Sequence, residues 1–277
     1  MKFTKMHGLG NDFVLCEDLP TAHNLATLAK KICNRHRGVG ADGLVFLLPS
    51  TQADVRMRII NADGSEAEQC GNAVRCVAKY AYESGRVQKK QLTIETKAGL
   101  QKVWLETSNG EVTKIRVDMG EPILEADQIP VRGNGKLIKQ PIEVEGKTFQ
   151  FTAVSMGNPH IVIEVENAEQ FAVEQWGPLL EQHPLFPART NVEFITIHSP
   201  NELTMRVWER GVGQTLACGS GACATAVAGV LLEKTDRQVQ VHLAGGELLI
   251  DWSERDNHVY MTGPATTVFT GQSQDLF

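Results

Sequence analysis

The sequence predicts an α+β fold of two pseudo-symmetric domains, each a curved, mostly antiparallel β-sheet or barrel wrapped around a central α-helix. Three observations predict it. First, the chain repeats. At an offset of 148, Met57-Arg58-Ile59 falls on Met205-Arg206-Val207, and Cys70-Gly71 then falls on Cys218-Gly219 with no gap. At 147, Asn11 falls on Asn158 and Gly99 on Gly246. That period is too long for a solenoid unit and fits a duplicated domain. Second, most of each half reads as short strands joined by tight turns. Third, Ala222 to Glu233 forms a helix with almost no polar face. A helix that is apolar all round must be surrounded, and Ala222, Ala224, Ala226, Ala228 and Gly229 let neighbours approach closely.

The elements follow in order. Phe3 to Leu15 reads as a strand broken by a Gly-rich turn. Thr21 to Asn34 reads as a surface helix capped by Thr21, with Leu25, Leu28, Ala29 and Ile32 on one apolar face. Leu44–Leu48 and Val55–Asn61 are strands, followed by the turn Asn61-Ala62-Asp63-Gly64. Ala73 to Ser84 is helical, with Gly85 suited to the position just past its end. Strands at Leu92–Thr96, Gln101–Glu106 and Lys114–Asp118 complete the first domain, 1–118. Gly120 to Gly146, with Pro122, Pro130 and Pro141, reads as a linker at the start of the second domain, 119–262. There, strands at Ala153–Ser155 and Ile161–Val165 flank a turn. A helix at Glu174–Gln182 precedes strands at Glu193–His198 and Leu203–Glu209. Strands at Val239–Leu243, Glu247–Trp252 and His258–Thr262 follow the apolar helix.

Composition removes several classes of function. Among 277 residues, 42% are hydrophobic and 22% charged, as in ordinary globular proteins. The net charge of −6, with no basic stripe, argues against nucleic acid as a partner. Lys2 and Lys5 are followed by Met6-His7-Gly8-Leu9-Gly10-Asn11-Asp12, too broken for a signal-peptide core. No apolar run is long enough to span a membrane. The expected location is therefore cytoplasmic, where the cysteines at 16, 33, 70, 76, 218 and 223 stay reduced. None of them forms a C-x-x-C pair, so no metal site is expected.

The chemistry concentrates at two related stretches, Glu68-Gln69-Cys70-Gly71-Asn72-Ala73-Val74-Arg75 and Leu216-Ala217-Cys218-Gly219-Ser220-Gly221-Ala222-Cys223. Each places a thiol at the start of a small-residue helix. Unpaired N–H groups and the macrodipole there favour a thiolate and bind anions. Glycine after each cysteine lets a ligand approach the backbone closely. A single cysteine at a helix start is more often a small core residue. The recurrence of Cys-Gly-(Asn/Ser) with dissimilar flanks is what points to function. Two halves facing one another would set two thiols on opposite sides of one ligand. Inversion of a stereocentre needs that arrangement: one thiolate removes the α-proton, and the other thiol delivers one to the opposite face. The helix starts would hold the carboxylate as enolate-like charge grows. Cys76 and Cys223 fall inside helices, and Cys16 and Cys33 lack a motif. All four read as structural.

Turn and strand-end residues supply polar partners: Asn11, Asn61, Asn158, Asn191, His160 and the pair Glu209-Arg210. Most turn asparagines serve only the turn, and an exposed ion pair is the bland reading of Glu209-Arg210. As a functional pair, these two lie off the thiol axis and could grip the amino acid centre that does not react.

Taken together, Met6-His7-Gly8-Leu9-Gly10-Asn11-Asp12-Phe13, Asn61-Ala62-Asp63-Gly64-Ser65, Gln69-Cys70-Gly71-Asn72, Ser155-Met156-Gly157-Asn158-Pro159-His160, Glu209-Arg210-Gly211 and Ala217-Cys218-Gly219-Ser220-Gly221 resemble the motifs of the diaminopimelate epimerases, in order and over nearly the whole chain. The resemblance implies interconversion of LL- and meso-2,6-diaminopimelate in lysine and cell-wall precursor synthesis, with no cofactor, neither pyridoxal phosphate nor metal. It implies catalytic thiols at Cys70 and Cys218, tuned by His160 and Glu209. It implies substrate contacts from Asn11, Asn61, Gly71, Asn72, Asn158, Asn191, Glu209, Arg210, Gly219 and Ser220. It further implies a homodimer, and a first domain rejoined by 263–277. Some members carry Gln where this chain has Gly43, and Gly43 is left out of the site.

Three other readings compete. A proline- or hydroxyproline-type racemase would not need the charged distal grip of Arg210 with Asn61, Asn158 and Asn191. A dithiol redox protein would ordinarily carry C-x-x-C. A non-enzymatic amino acid binding protein would keep its function without Cys70.

Overall fold

The structure, a computed structural model, describes residues 1–19 and 24–273. The fold is α+β, mostly sheet. The chain divides into two compact units, Met1–Asp118 with Thr262–Phe277, and Met119–Met261.

In the first unit, β1 (Lys2–Gly8) and β2 (Asn11–Cys16) form a hairpin. Its two turn residues, Leu9 and Gly10, have φ of 57° and 86°. Successive positive φ angles make a type I′ turn, whose twist matches that of the strands. Leu9 in that region costs about 1–2 kcal/mol, and the turn fixes Asn11 as the first residue of β2. α1 (Leu25–Ile32) buries Leu28, Ala29 and Ile32. Its N-cap is Asn24, whose side chain accepts from the Ala26 and Thr27 amides. The helix therefore starts later than the sequence suggests, and Thr21 lies outside the described residues. β3 (Gly43–Leu48) runs parallel to β2, with Gly43 beside Phe13. β4 (Val55–Asn61) is antiparallel to β3, with Asn61 opposite Gly43. Asn11, Gly43 and Asn61 thus share one end of the sheet.

β5 (Glu66–Ala67) leads to α2 (Gly71–Glu83), then to β6 (Gln91–Thr96), which lies parallel to β4. β7 (Gly99–Ser108) and β8 (Glu111–Asp118) continue antiparallel. α2 packs on β1, β4 and β8, and buries Ala73, Val74, Cys76, Val77, Ala78 and Ala81. It ends at Ser84, and Gly85 takes φ 77°, the left-handed stop expected there.

The second unit repeats this order. It comprises β9 (Gln140–Val144), β10 (Lys147–Ser155), β11 (Pro159–Glu164), α3 (Val173–Glu181), β12 (Asn191–Ser199) and β13 (Glu202–Glu209), then β14 (Gly213–Thr215), α4 (Gly219–Leu231), β15 (Gln238–Leu243), β16 (Gly246–Trp252) and the first residues of β17 (Val259–Gly263). β10 and β11 pair antiparallel, β12 lies parallel to β11 beyond α3, β13 returns antiparallel, and β15 lies parallel to β13 beyond α4. α4 packs on β10, β11, β12 and β16, and ten of its thirteen residues are buried. β18 (Thr266–Gln272) pairs with β1 in the first unit, Lys2 opposite Gln272.

The sheets are mostly antiparallel, as expected, and each unit also carries two parallel pairs, because a helix in the connection carries the chain across to a parallel neighbour. One expectation needs correction: Gly120–Gly146 is not a linker. Ala126, Ile129, Val131, Leu137, Ile142 and Val144 join Phe149, Phe151, Ile161 and Phe194 in the second unit's core, and Ile123 bridges to Ser155. Proline and glycine punctuate this segment, but its spaced apolar residues bury without a regular ladder. No helix among the described residues is long and apolar enough to cross a membrane.

Candidate active site

In the first unit, Cys70 is the N-cap of α2 in extended conformation, φ −151° and ψ 110°. Its side chain makes no capping bond, so the sulfur turns to the hairpin instead. Cys70 Sγ donates to Asn11 Oδ1 at 3.7 Å. Asn72 Nδ2 donates to the same oxygen at 3.0 Å, and Asn11 Nδ2 donates to Asp42 Oδ2 at 2.8 Å. Beneath them, Lys5 bonds Asp12 and the Gly40 carbonyl, and Arg35 bonds both Asp12 and Asp42. Burial would raise the Asp12 pKa, but the hydrogen bonds from Arg35 and Lys5 outweigh it and hold that carboxyl well below its usual range. Asn61 Nδ2 donates to Ser65 Oγ at 3.0 Å, within the turn that follows β4.

In the second unit, Cys218 is the N-cap of α4, and its sulfur does cap the helix, accepting from Gly221 N at 3.4 Å. Ser220 Oγ lies 3.6 Å from the sulfur. Asn158 Nδ2 donates to Ser220 Oγ at 3.3 Å, and Asn158 Oδ1 lies 3.0 Å from His160 Nε2. His160 is fully buried, and its Nδ1 meets Glu193 Oε1 at 2.7 Å. Glu193 Oε2 is buried with no hydrogen-bond partner among the described residues. Glu209 Oε1 accepts from Thr215 Oγ1 at 2.5 Å, and its charge acts on the Cys218 thiol. The Glu209 carboxylate is thus within electrostatic reach of Cys218, while the Arg210 side chain is exposed.

The charge at Cys218 follows from these surroundings. Burial pushes Cys218 well above the ordinary thiol value, and the charges of Glu209 and Glu193 push it further. Burial likewise raises Glu209, against the pull of its bond from Thr215 and of the nearby Cys218 thiol. Thiol and carboxyl thus compete for one proton: moving it from sulfur to carboxylate leaves a thiolate at a helix start, facing the Gly221 amide. Burial pushes Cys16, Cys33 and Cys76 up to about 12, which makes them poor nucleophiles. Cys223 is fully buried within α4.

The remaining residues lie at strand ends. Asn191, opposite His160 at the start of β12, donates to the Pro159 carbonyl at 2.7 Å and accepts from Arg210 N at 2.9 Å. The exposed Arg210 side chain donates to the Ala188 carbonyl at 3.1 Å. Gly71 and Gly219 open their helices directly after the cysteines.

Comparison with known proteins decides the family. A profile described as "Diaminopimelate epimerase" matches residues 3–125 and 152–268. The chain belongs to the diaminopimelate epimerase family. Proteins named diaminopimelate epimerase from Desulfitobacterium hafniense and Moorella thermoacetica are each 55% identical to it, over 98% of this chain and 97% and 98% of theirs. Among solved structures, a probable proline racemase from Agrobacterium radiobacter shares the fold, with a TM-score of 0.74 at 18% identity, over 99% of this chain and 93% of that one. A hydroxyproline epimerase from Agrobacterium vitis gives 0.73 at 17%, over 98% and 91%.

Within this diaminopimelate epimerase family chain, sequence reasoning missed Asp42, Arg75 and Glu193. Two of them leave a trace. Arg75 interrupts Ala73-Val74-Arg75-Cys76-Val77-Ala78, and Glu193 interrupts Val192-Glu193-Phe194-Ile195. A lone charge inside an apolar run is either exposed by periodicity or buried with a partner.

Proposed function

We propose that the protein is an epimerase, an isomerase interconverting LL- and meso-2,6-diaminopimelate by proton exchange at one α-carbon, with Cys70 and Cys218 as the acid–base pair. One thiolate takes the α-proton, and the other thiol gives one back on the opposite face. After one turnover a proton has moved from one sulfur to the other, and the reverse reaction restores it. Backbone amides at Gly71, Asn72, Gly219 and Ser220 suit the substrate carboxylate, where negative charge grows as the proton leaves. Glu209 serves as the proton acceptor for Cys218. His160 holds Asn158, and Asn11 holds Cys70. Asn61, Asn158, Asn191 and Arg210 bind the amino acid centre that does not react. Neither pyridoxal phosphate nor a metal has a role in this scheme.

One observation carries the reading: in each of two equivalent units, the central helix begins on a cysteine followed by glycine, and a polar side-chain oxygen lies beside the sulfur, Asn11 Oδ1 at 3.7 Å from Cys70 and Ser220 Oγ at 3.6 Å from Cys218. Family membership supports the substrate. All six cysteines are free thiols, which suits the cytoplasm. Val268 and Phe269 on β18 are 52% and 47% exposed, as residues of a homodimer interface would be in one subunit. The test is incubation of purified protein with LL-diaminopimelate and no added cofactor, followed by optical rotation. Rotation should drift to the equilibrium mixture; a static signal at micromolar enzyme contradicts the proposal.

A further inference from the structure

Arg75 heads the fully buried side chains by size, yet no step above uses it. Its Nη2 donates to Asn72 Oδ1 at 3.0 Å, and its Nε to the Pro264 carbonyl at 3.0 Å. A guanidinium has donors only, so the Asn72 amide must turn its oxygen to Arg75. Its NH2 then points at Asn11 Oδ1, 3.0 Å away. At the far end Asp42 Oδ2 accepts from Asn11 Nδ2 at 2.8 Å, and a carboxylate has acceptors only. Asp42 is held in turn by Arg35 Nη2 at 2.7 Å and accepts from Asp12 N at 3.1 Å. Two amides therefore run in series between a pure donor and a pure acceptor, and every link has one direction. The hairpin makes room for this chain. A Cβ at Gly8 would stand 2.9 Å from Arg75 Nη2 and 3.2 Å from Asn72 Cβ.

We propose that Arg75 and Asp42 are positioning residues for the epimerase reaction: together they fix the direction of the Asn72–Asn11 amide pair, so that Asn11 turns its carbonyl oxygen, and not its NH2, toward the Cys70 sulfur. The inference rests on the reading of Cys70 as an acid–base thiol. A carbonyl oxygen accepts from S–H and favours the protonated thiol, whereas an NH2 group would donate to a thiolate. An asparagine without anchors could present either. The second unit uses the opposite polarity: Asn158, held through its oxygen side by His160, turns its NH2 toward Ser220. The other charged groups around the first chain are Lys5, Asp12 and Arg35, already bound to one another or to Asp42.

The test separates amide direction from plain charge. Asp42→Asn makes the site more positive by one charge, and Arg75→Met makes it more negative by one. By charge alone the two variants move the Cys70 thiol in opposite directions. By amide direction both free Asn11 to turn its NH2 to the sulfur, and both favour the thiolate. The readout is the pH dependence of iodoacetamide alkylation at Cys70, followed by mass spectrometry on the folded protein, with kcat and KM for LL-diaminopimelate alongside. The alkylation midpoint should fall in both variants, by about half a unit or more. kcat should fall about tenfold, with KM changed less than about threefold. Arg35→Gln, on an exposed side chain, also removes a positive charge and loosens Asp42. It should shift the midpoint the same way by less, and it keeps the test available if Arg75→Met does not fold. Opposite shifts in Asp42→Asn and the cation variants, or no shift in Asp42→Asn, overturn the proposal. If the wild type fails to epimerise, the functional reading falls, while the alkylation profiles still decide the amide chain.

Discussion

Cys70 and Cys218 begin equivalent helices of a duplicated fold, but their surroundings differ in kind. Cys70 is half-buried and bonds to a neutral amide held in one direction by charged residues. Cys218 is 5% exposed and feels two carboxylates, Glu209 and Glu193, the latter buried behind His160. Duplication supplies the placement of a thiol at a helix start, and divergence of the neighbours supplies its chemistry. An acid–base pair that must exchange roles gains from this asymmetry. Two thiols with identical surroundings would have equal claims on a single proton, whereas unlike surroundings let each be adjusted separately.

The largest expected break in that comparison is at Glu209. Glu209→Gln keeps the shape but removes the acceptor for the Cys218 proton, and kcat should fall about 100-fold with KM nearly unchanged. The same variant has a signature in stability. Burial holds the Glu209 pKa above its usual 4.5, so its contribution to folding is complete at acid pH and is lost as pH rises through and beyond that value. Chemical denaturation from pH 4 to 8 should therefore show Glu209→Gln gaining on the wild type as pH rises.

Next comes the helix start itself. At the offset of 148, Gly221 corresponds to Ala73, so the first unit accepts a Cβ where the second has none. At Gly221 that Cβ would lie 2.7 Å from Glu193 Oε1 and 3.2 Å from Cys218 Sγ. Gly221→Ala should lower kcat about 10- to 100-fold and stability by about 1–3 kcal/mol, measured by steady-state kinetics and urea unfolding. Ala73→Gly should cost about 1 kcal/mol of stability, with little effect on turnover.

Much of this site was legible in the chain and some was not. The cysteines stood out because a rare residue recurs with Gly and a small polar residue behind it. Asn11 and Asn158 stood out through their turns. The surroundings of Glu209 were hidden: a strand-end Glu-Arg pair looks alike whether its carboxylate meets solvent or a neighbouring hydroxyl such as Thr215. Asp42 and Arg75 were hidden because their role is relational, fixing amides 31 and 3 residues away along the chain. The parallel pairs were missed because strand patterning reports burial and leaves neighbour direction open. The 120–146 segment was missed because Pro and Gly mark irregular backbone, whether or not its apolar side chains are buried.

Weaker effects sharpen the contrast between reactive and inert thiols. Cys16, Cys33 and Cys76 sit at about 12, so all three stay protonated in the fold after the unfolded chain has ionised. Their contribution is complete below pH 9.0 and is lost as pH rises toward 12. Each thiol should cost up to about 1.4 kcal/mol per pH unit in that window. Urea midpoints under reductant should fall steeply above pH 9.0, and Cys16→Ala should flatten the slope. The smallest effect is at α1, capped by an oxygen where α2 and α4 begin on sulfur. Asn24→Ala should lower stability by about 1 kcal/mol without changing turnover, as read by thermal unfolding beside kinetics.

The account stands on two thiols sharing one proton exchange. Its most direct test is solvent deuterium uptake into LL-diaminopimelate, followed by mass spectrometry and NMR for the wild type and for folded Cys70→Ala and Cys218→Ala. The wild type should label one α-carbon as it inverts, and neither single variant should epimerise at more than about a thousandth of the wild-type rate. Epimerisation near the wild-type rate by either variant would contradict a mechanism that needs both sulfurs.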